Sequence, residues 1–314
     1  MRQSFKIEIV DLQSLWRYVQ FGLVTALIEV RYFMEKINTK TCIYVSLDDP
    51  LEDIRKRVLA LDNLNFVHVD HAGRETKTSQ TNSVISIARN DADAKEKLVF
   101  LANQGFHVYV VRDGMSSMVH HRRIKTLWRN VVAKEVSVDE NDIFYAVQKA
   151  PLANDPKLLV AFSSIAAKMY TPSLFRHFEQ NFASIGKYVP QNTHIMRIAD
   201  FGSVVGSFYL NSKSLPDNET HIAAAIAREA ARLGISHKEV VLYGSSKGGT
   251  AATYYALKYG YQAVAVDPIL SDKHYVQEHR DSHFTLGTFA QPKEVRFADV
   301  TADIQPDAGL SVIC

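Results

Sequence analysis

The stretch Glu239-Val240-Val241-Leu242-Tyr243 runs directly into Gly244-Ser245-Ser246-Lys247-Gly248, and the small residues Gly249-Thr250-Ala251-Ala252-Thr253 follow. The first five residues are mostly apolar and β-branched, which predicts a buried strand. The segment from Lys247 to Lys258 predicts a helix. The five residues between them have the form G-x-S-x-G and lie at a strand-to-helix turn, which is the setting that a nucleophile elbow requires.

In a nucleophile elbow, a tight turn strains the serine backbone and exposes its hydroxyl at the carboxyl end of the sheet. Flanking glycines are needed because a Cβ would collide with the neighbouring strand and helix. Ser246 is therefore the candidate nucleophile. The backbone N–H of Lys247, at the helix N-terminus, is a candidate donor to negative charge on a reacting acyl group.

Two other interpretations of this turn stay open. One is a plain glycine-rich turn that binds an anion or nothing. The other is a phosphate-binding loop, because Lys247 lies among glycines. In a P-loop, however, lysine comes directly after the second glycine and before Ser or Thr, whereas here Gly248-Gly249 separate Lys247 from Thr250. The strand and helix on either side favour the elbow.

An elbow also needs a second oxyanion donor, an acid and a base. Ser163, directly after the predicted strand Leu158–Phe162, is the candidate second donor through its backbone N–H; an ordinary strand exit is the alternative. In enzymes with this elbow the chain order is Ser, acid, His, and Asp267 with His283 satisfies that order. The alternative is that Asp267 belongs to a strand-ending turn and that the segment before His283 is a solvated polar helix.

Outward from the elbow, apolar strands alternate with amphipathic helices, which predicts an α/β protein. We expect a Rossmann-like α/β region over residues 1–150, of unknown role, and a second α/β series over 151–314. The predicted strands are Cys42–Ser46, Asn65–Val69, Phe106–Val111, Asp142–Val147, Leu158–Phe162, His194–Ile198, Glu239–Tyr243, Ala263–Val266 and Leu310–Ile313. The predicted helices span 51–61, 84–103, Thr220–Arg232 and Lys247–Lys258.

Composition excludes several classes of protein. Of 314 residues, 46% are hydrophobic and 22% charged, which is ordinary for a globular chain. Lys and Arg number 36 and Asp and Glu 34, so no overall field attracts nucleic acid. Two cysteines, Cys42 and Cys314, exclude a disulfide framework and a multi-cysteine zinc site. The apolar stretch Phe21–Ile28 is too short for a membrane span, and we expect a cytoplasmic protein.

Other polar groups lie near the predicted strand ends. His120-His121-Arg122-Arg123, with Lys125 and Arg129, forms a basic cluster that predicts a solvated helix face. Contact with a phosphate-bearing polymer or a sugar nucleotide is its alternative, and metal ligation is not expected because the two histidines are adjacent. Asp70 and Asp113-Gly114 follow strands at the edge where α/β sheets bind ligands. No G-x-G-x-x-G follows any strand, so a dinucleotide fingerprint is not supported.

The block Val241–Ala251 (VLYGSSKGGTA) resembles the elbow of bacterial capsule O-acetyltransferases with an α/β-hydrolase fold, and Leu286-Gly287-Thr288 matches another short stretch of them. The block also resembles the broader XcbB/CpsF family of capsular polysaccharide biosynthesis proteins. The resemblance covers roughly residues 155–314. It implies an α/β-hydrolase-like, mostly parallel sheet, with Ser246 as the acyl-accepting nucleophile, the Lys247 N–H as an oxyanion donor and acetyl-CoA as the acyl donor.

In the acetyltransferases the acid follows the strand that Leu310–Ile313 matches, and the histidine comes later. The resemblance thus implies that the acid and base lie after Cys314 and that the second domain is incomplete, or that the chain is a degenerate relative without a full triad. The implied function is serine-dependent acyl transfer in capsule biosynthesis, as an O-acetyltransferase or esterase, with no permanently bound cofactor.

The implied partners are capsular polysaccharide or its sugar-phosphate precursor, together with other capsule-assembly proteins at the inner face of the membrane. The alternative function, from another class, is a non-catalytic capsule-assembly or polymer-binding protein that retains the hydrolase scaffold.

Overall fold

The computed structural model describes residues 41–74, 82–279 and 281–314; the stretch Phe21–Ile28 and the start of the expected Rossmann-like region lie outside them. The strands are β1 (Cys42–Ser46), β2 (Phe66–Asp70), β3 (Phe106–Arg112), β4 (Met115–His120), β5 (Ser137–Val138), β6 (Phe144–Gln148), β7 (Lys157–Phe162), β8 (Thr193–Ile198), β9 (Val240–Ser245), β10 (Gln262–Val266) and β11 (Gly309–Ile313). The helices are α1 (Leu51–Leu59), α2 (Val84–Ala88), α3 (Ala92–Asn103), α4 (His121–Leu127), α5 (Arg129–Val132), α6 (Asn218–Arg232), α7 (Lys247–Tyr259), α8 (Lys273–His279) and α9 (Lys293–Ala302). Among these described helices, none combines the length and the apolar character that crossing a membrane requires.

The larger sheet contains the predicted elbow strand as an interior strand. Its order is β11-β10-β9-β7-β8-β6-β5. The five strands from β11 to β8 pair in parallel, whereas β6 and β5 are antiparallel. This mostly parallel sheet with an elbow on β9 confirms the predicted α/β-hydrolase-like class. Because β5 and β6 belong to it, the larger sheet begins at Ser137, before the expected boundary at residue 150.

The smaller sheet, with the order β1-β2-β4-β3, is mixed. β1 and β2 pair in parallel around α1, as a Rossmann-like region requires, but β4 pairs antiparallel with both β2 and β3. The β3–β4 hairpin turns at Asp113 and Gly114, with φ of 49° and 74°, the left-handed values that a tight hairpin needs. Asp113-Gly114 therefore connects two paired strands, and its prediction as a ligand-binding strand end is wrong.

The two sheets share an aromatic core that contains three buried histidines. The ring of His107 packs edge-on against His177 at 5.0 Å and against Phe201 at 5.1 Å, and His121 packs on Phe201 at 5.3 Å. Phe144 of β6 lies 5.2 Å from Phe201. His121 is 8% exposed, so the basic cluster that begins at His120 turns part of its side chains into the core. The prediction of a wholly solvated face is wrong there.

These histidines are held neutral by their surroundings. Burial lowers the pKa of His121 to about 4, a shift that Asp142 partly opposes and Lys125 adds to. Burial also lowers the pKa of His107 and His177 well below the ordinary value, with positive charge on Arg176 contributing to both. The described residues provide no hydrogen-bond partner for either ring nitrogen of His107. The folded chain therefore resists protonation at these sites.

We expect the protein to lose stability in mild acid. In the unfolded chain each histidine titrates near a pKa of about 6.5, so below that pH the unfolded state binds more protons and the free energy of unfolding falls. A His107→Phe variant keeps an aromatic ring against Phe201 but cannot bind a proton there. Between about pH 7 and pH 5, its free energy of unfolding should fall by about 2 kcal/mol less than that of the wild type. Urea unfolding at both pH values measures this, with the exposed His237→Phe as the control. An unchanged pH dependence in His107→Phe would contradict the account.

Candidate functional site

Ser246 alone joins β9 to α7. Its φ of 53° and ψ of −117° are values that non-glycine residues adopt only where the surrounding structure imposes them. The Ser246 N–H donates to the carbonyl of Val266 on β10 at 2.8 Å, and its own carbonyl accepts the Thr250 N–H at 3.0 Å. The backbone is thus fixed on both sides, and the predicted strand–turn–helix elbow is confirmed.

Two glycines of the motif lie where no side chain fits. A Cβ on Gly248 would lie 2.8 Å from the carbonyl carbon of Phe162 and 3.0 Å from the carbonyl oxygen of Ser163. A Cβ on Gly244 would lie 2.8 Å from the backbone nitrogen of Gly249. Real Cβ atoms do not approach backbone atoms this closely, so the predicted clash is confirmed. The G-x-S-x-G spacing is what allows α7 to pack on β9 and β7.

The chemical groups at the turn are available for a ligand. Ser246 is partly exposed, and its Oγ makes no hydrogen bond with the residues that the structure describes. The N–H of Lys247 belongs to the first turn of α7, where backbone donors have no acceptor within the helix. The positive end of the helix dipole points the same way. A hydroxyl and a free backbone donor therefore lie side by side.

The Lys247 side chain points in the opposite direction, into the core. Its Nζ lies 2.9 Å from Oδ2 of Asp200, and both side chains are 0% exposed. An ammonium group held there is not presented to a ligand, so the alternative of a phosphate-binding loop is wrong. Sequence reasoning missed Asp200. No local signal marks it, because lysine is ordinarily exposed and the burial of Lys247 is seen only in the folded chain.

The loop after β7 lies against the elbow, as expected. Ser164 Oγ donates to the carbonyl of Ser245 at 3.0 Å. The Ser163 N–H, however, donates to Oη of Tyr209 at 2.8 Å, and Ser163 Oγ lies at the same distance from that oxygen. In this arrangement the N–H of Ser163 is engaged within the protein and is not free to donate to an oxyanion.

Asp267 and His283 lie in different places. Asp267 directly follows β10, its N–H donates to the carbonyl of Ile313 at 2.8 Å, and its side chain is exposed. Because the residue before it bonds to Ser246, its backbone adjoins the elbow. The nearest charged partner of His283 is Asp281, at 3.9 Å. No hydrogen bond or ion pair between described residues joins His283 to Asp267 or to Ser246.

The chain after α8 explains the position of His283. The next residue, Phe284, is 3% exposed and packs in the core of the smaller sheet. Lys95 of α3 lies 5.3 Å from the Phe284 ring centre. Burial lowers the pKa of His283, and Lys293 lowers it further while Asp281 raises it. The packing of Phe284 in this core therefore places the segment that contains His283 beside α3.

Comparisons with known proteins give remote structural neighbours. No protein-family model and no curated protein matches the sequence. The Gap123 glycosylation-associated protein complex of Streptococcus agalactiae is 18% identical, with a TM-score of 0.39 over 57% of this chain and 35% of that chain. The capsule O-acetyltransferase of Neisseria meningitidis serogroup A is 16% identical, with a TM-score of 0.40 over 55% and 70%. The fluorophosphonate-binding serine hydrolase F of Staphylococcus aureus is 13% identical, with a TM-score of 0.42 over 57% and 76%.

A Gly248→Ala substitution should destabilise the elbow severely. The added methyl meets backbone atoms of Phe162 and Ser163 that cannot move without distorting β7, so we expect a cost of about 3 kcal/mol or more. The larger Gly248→Val should prevent correct folding of the turn. Gly186→Ala is the control, because its Cβ would meet only the side chains of Gln148 and Ile195, at 3.3 and 3.5 Å. Thermal unfolding of the variants measures the difference, and equal stability of the two alanine variants would show that the close approach is absent.

Proposed function

We propose that the chain is a serine-dependent acyl-transfer protein with Ser246 as its nucleophile. The observation that carries the proposal is the constrained backbone of Ser246, with φ of 53°, in a turn where α7 contacts β7 directly. Strain of this kind costs of order 1–3 kcal/mol and is maintained chiefly at functional sites. Its effect here is to separate one hydroxyl from every protein hydrogen-bond partner in the described chain.

In the proposed reaction, Ser246 Oγ attacks the carbonyl carbon of an acyl donor. The Lys247 N–H and the N-terminus of α7 stabilise the resulting oxyanion. A second donor has to come from the loop after β7. Ser163 serves only if its N–H leaves Tyr209 Oη, whereas the N–H of Ile165, two residues further on, has no acceptor among the described residues. Loss of one such donor commonly costs 100- to 1,000-fold in rate.

The acid and the base are the open part of the proposed site. Asp267 adjoins the elbow, and as the acid it would orient a histidine. His283 would serve as the base only if its segment left the position beside Asp281. The resemblance of the elbow block to capsule O-acetyltransferases instead puts the acid and the histidine after the strand that β11 matches. That placement stays a prediction.

Within this proposal, acetyl-CoA is the donor and the acceptor is a sugar hydroxyl of capsular polysaccharide or of its sugar-phosphate precursor. The support is the Val241–Ala251 block, whose resemblance extends to the XcbB/CpsF-type capsule family. We place the reaction in the cytoplasm, with other capsule-assembly proteins bringing the chain to the inner face of the membrane. Water as the acceptor in place of the sugar makes the same chain an esterase.

A second candidate function is a non-catalytic capsule-assembly or polymer-binding protein. One observation favours it: no histidine in the described chain bonds to Ser246, and a serine without a base is a weak nucleophile. This candidate retains the elbow as scaffold and predicts an unreactive hydroxyl. The two functions therefore differ in a property that is measured directly.

We expect a fluorophosphonate probe to label the wild-type protein and Ser245→Ala but not Ser246→Ala. The probe forms a bond from Oγ to phosphorus and releases fluoride, so it reports the activated serine itself. Ser245→Ala is a matched control because that residue is the neighbouring serine of the same motif. An unlabelled wild type would favour the binding protein, and a labelled Ser246→Ala would move the nucleophile to another residue.

Acetyl-CoA should transfer one acetyl group to Ser246. In this step the acyl carbon–sulfur bond breaks, a carbon–oxygen ester bond forms, and the serine proton ends on the CoA thiol. Peptide mass spectrometry should locate the ester on Ser246 and find none in Ser246→Ala. Hydrolysis of p-nitrophenyl acetate without acetylation by acetyl-CoA would assign the chain as an esterase. If a protein that the fluorophosphonate labels shows neither activity, acetyl is rejected as the acyl group.

A further inference from the structure

We propose that Lys247 and Asp200 form a positioning pair that fixes the direction of the Ser246 hydroxyl. This inference rests on the proposed function of Ser246 and assigns the side chain of the lysine a role separate from that of its N–H. The pair does not touch the substrate. It acts through the backbone of the elbow on one side and through the loop after β7 on the other.

The first link is the ion pair itself. Lys247 directly follows Ser246, and its Nζ lies 2.9 Å from Asp200 Oδ2 with both side chains fully removed from solvent. The Nζ also lies 5.3 Å from the ring centre of Tyr209. A buried ammonium has few alternative partners and is costly to leave unpaired. The first turn of α7 is therefore attached to the end of β8.

The second link is the set of hydrogen bonds that the loop 207–209 donates to the Asp200 carboxylate. Its Oδ1 accepts the N–H groups of Ser207 and Tyr209, and its Oδ2 accepts that of Phe208, each at 3.0 Å. Phe208 and Tyr209 have φ of 58° and 62°, values that are unfavourable for aromatic residues. Without the carboxylate, the buried N–H groups of Phe208 and Tyr209 would lack their acceptor, and that of Ser207 would keep only the carbonyl of Phe201, at 3.2 Å. Asp200 is thus what holds this loop in its unusual conformation.

The third link returns to the elbow. Tyr209 Oη donates to the carbonyl of Ile198 at 3.2 Å and accepts the Ser163 N–H at 2.8 Å. The carbonyl of Ser163 in turn faces Gly248, where no Cβ fits. Contacts therefore run from Lys247 through Asp200, Tyr209 and Ser163 back to α7. In this closed ring, each member limits how Ser246 is oriented relative to the loop that must supply the second oxyanion donor.

A positioning role predicts a particular kinetic signature. Relaxing the ring leaves the surface that first binds a reagent unchanged but misaligns Oγ with the reacting centre. Small misplacements of a reacting group commonly cost up to about 100-fold in rate. For a fluorophosphonate we therefore expect kinact to fall while KI is unchanged. A residue that merely stabilises the fold would alter neither constant at a temperature where the variant is fully folded.

The test compares wild type, Lys247→Met and Tyr209→Phe. Lys247→Met removes the ammonium but retains an unbranched chain, and Tyr209→Phe removes only the oxygen that binds Ser163. Circular dichroism fixes a temperature at which each variant is folded, and kinact and KI are then measured separately. We expect kinact to fall about 10- to 100-fold in both variants. A rise in Tyr209→Phe would show that the released Ser163 N–H serves as the second oxyanion donor, and would overturn the positioning role. If Lys247→Met does not fold, Tyr209→Phe decides the outcome.

The matched control is Lys258→Met. Lys258 lies on the same helix and also pairs with a buried carboxylate, since its Nζ is 2.8 Å from Glu219 Oε2. It is not part of the ring around Ser246. We therefore expect Lys258→Met to lower the unfolding temperature but to keep the kinact of the wild type.

Two results overturn the inference while leaving the nucleophile in place: folded Tyr209→Phe and Lys247→Met that react like wild type, or a Lys258→Met that slows as much as they do. A wild-type protein that the probe does not label overturns the proposed function, and the positioning role falls with it. Labelling of the wild type and of Ser246→Ala thus distinguishes a failure of the positioning role from a failure of the proposed function.

Discussion

The structure around the site depends on how closely α7 approaches the backbone of β7. At Gly248 the helix backbone contacts the carbonyl groups of Phe162 and Ser163 with no side chain between them. This contact requires small residues in the first turn of the helix. It also forces the chain to turn within the single residue Ser246. The partly exposed hydroxyl of Ser246, the free N–H of Lys247 and the proximity of the loop after β7 all follow from this close approach of α7 to β7.

Sequence patterns predict the elements near this contact because their signals are local. Apolar runs mark β7, β8, β9 and β10, and Gly234 follows α6 with a left-handed φ of 70°, which glycine adopts without strain. β4 escaped prediction because only two of its four buried side chains, Met118 and Val119, are apolar. Ser116 and Ser117 lie on it, and each bonds to a histidine, His71 and His68 respectively, at 2.9 Å. A partly polar strand whose partners lie elsewhere in the sequence has only a weak hydrophobic pattern to detect.

The parts of the site that sequence does not predict are those set by distant contacts. The position of His283 depends on Phe284 packing into the core of the smaller sheet, which no local pattern encodes. The engagement of the Ser163 N–H depends on Tyr209, which Asp200 holds in a left-handed conformation. The order Ser, acid, His concerns positions along the sequence, whereas a catalytic triad requires the three side chains to lie within hydrogen-bond distance in the folded structure. Both residues satisfy the order; the backbone of Asp267 also adjoins the elbow, whereas His283 lies beside Asp281.

The buried pair of Lys247 and Asp200 bears on why the site is built in this way. Well-packed apolar residues often stabilise a core as well as a buried ion pair, since removing two charges from water is costly. What the pair adds, through the three backbone N–H groups that bind the Asp200 carboxylate, is direction, because each hydrogen bond restricts angle as well as distance. Apolar contacts would leave the first turn of α7 free to shift against the 207–209 loop. In the proposed reaction the Ser246 hydroxyl meets an acyl carbon and two donors at once. That alignment requires the shift to be prevented, which is the role we propose for the charged pair.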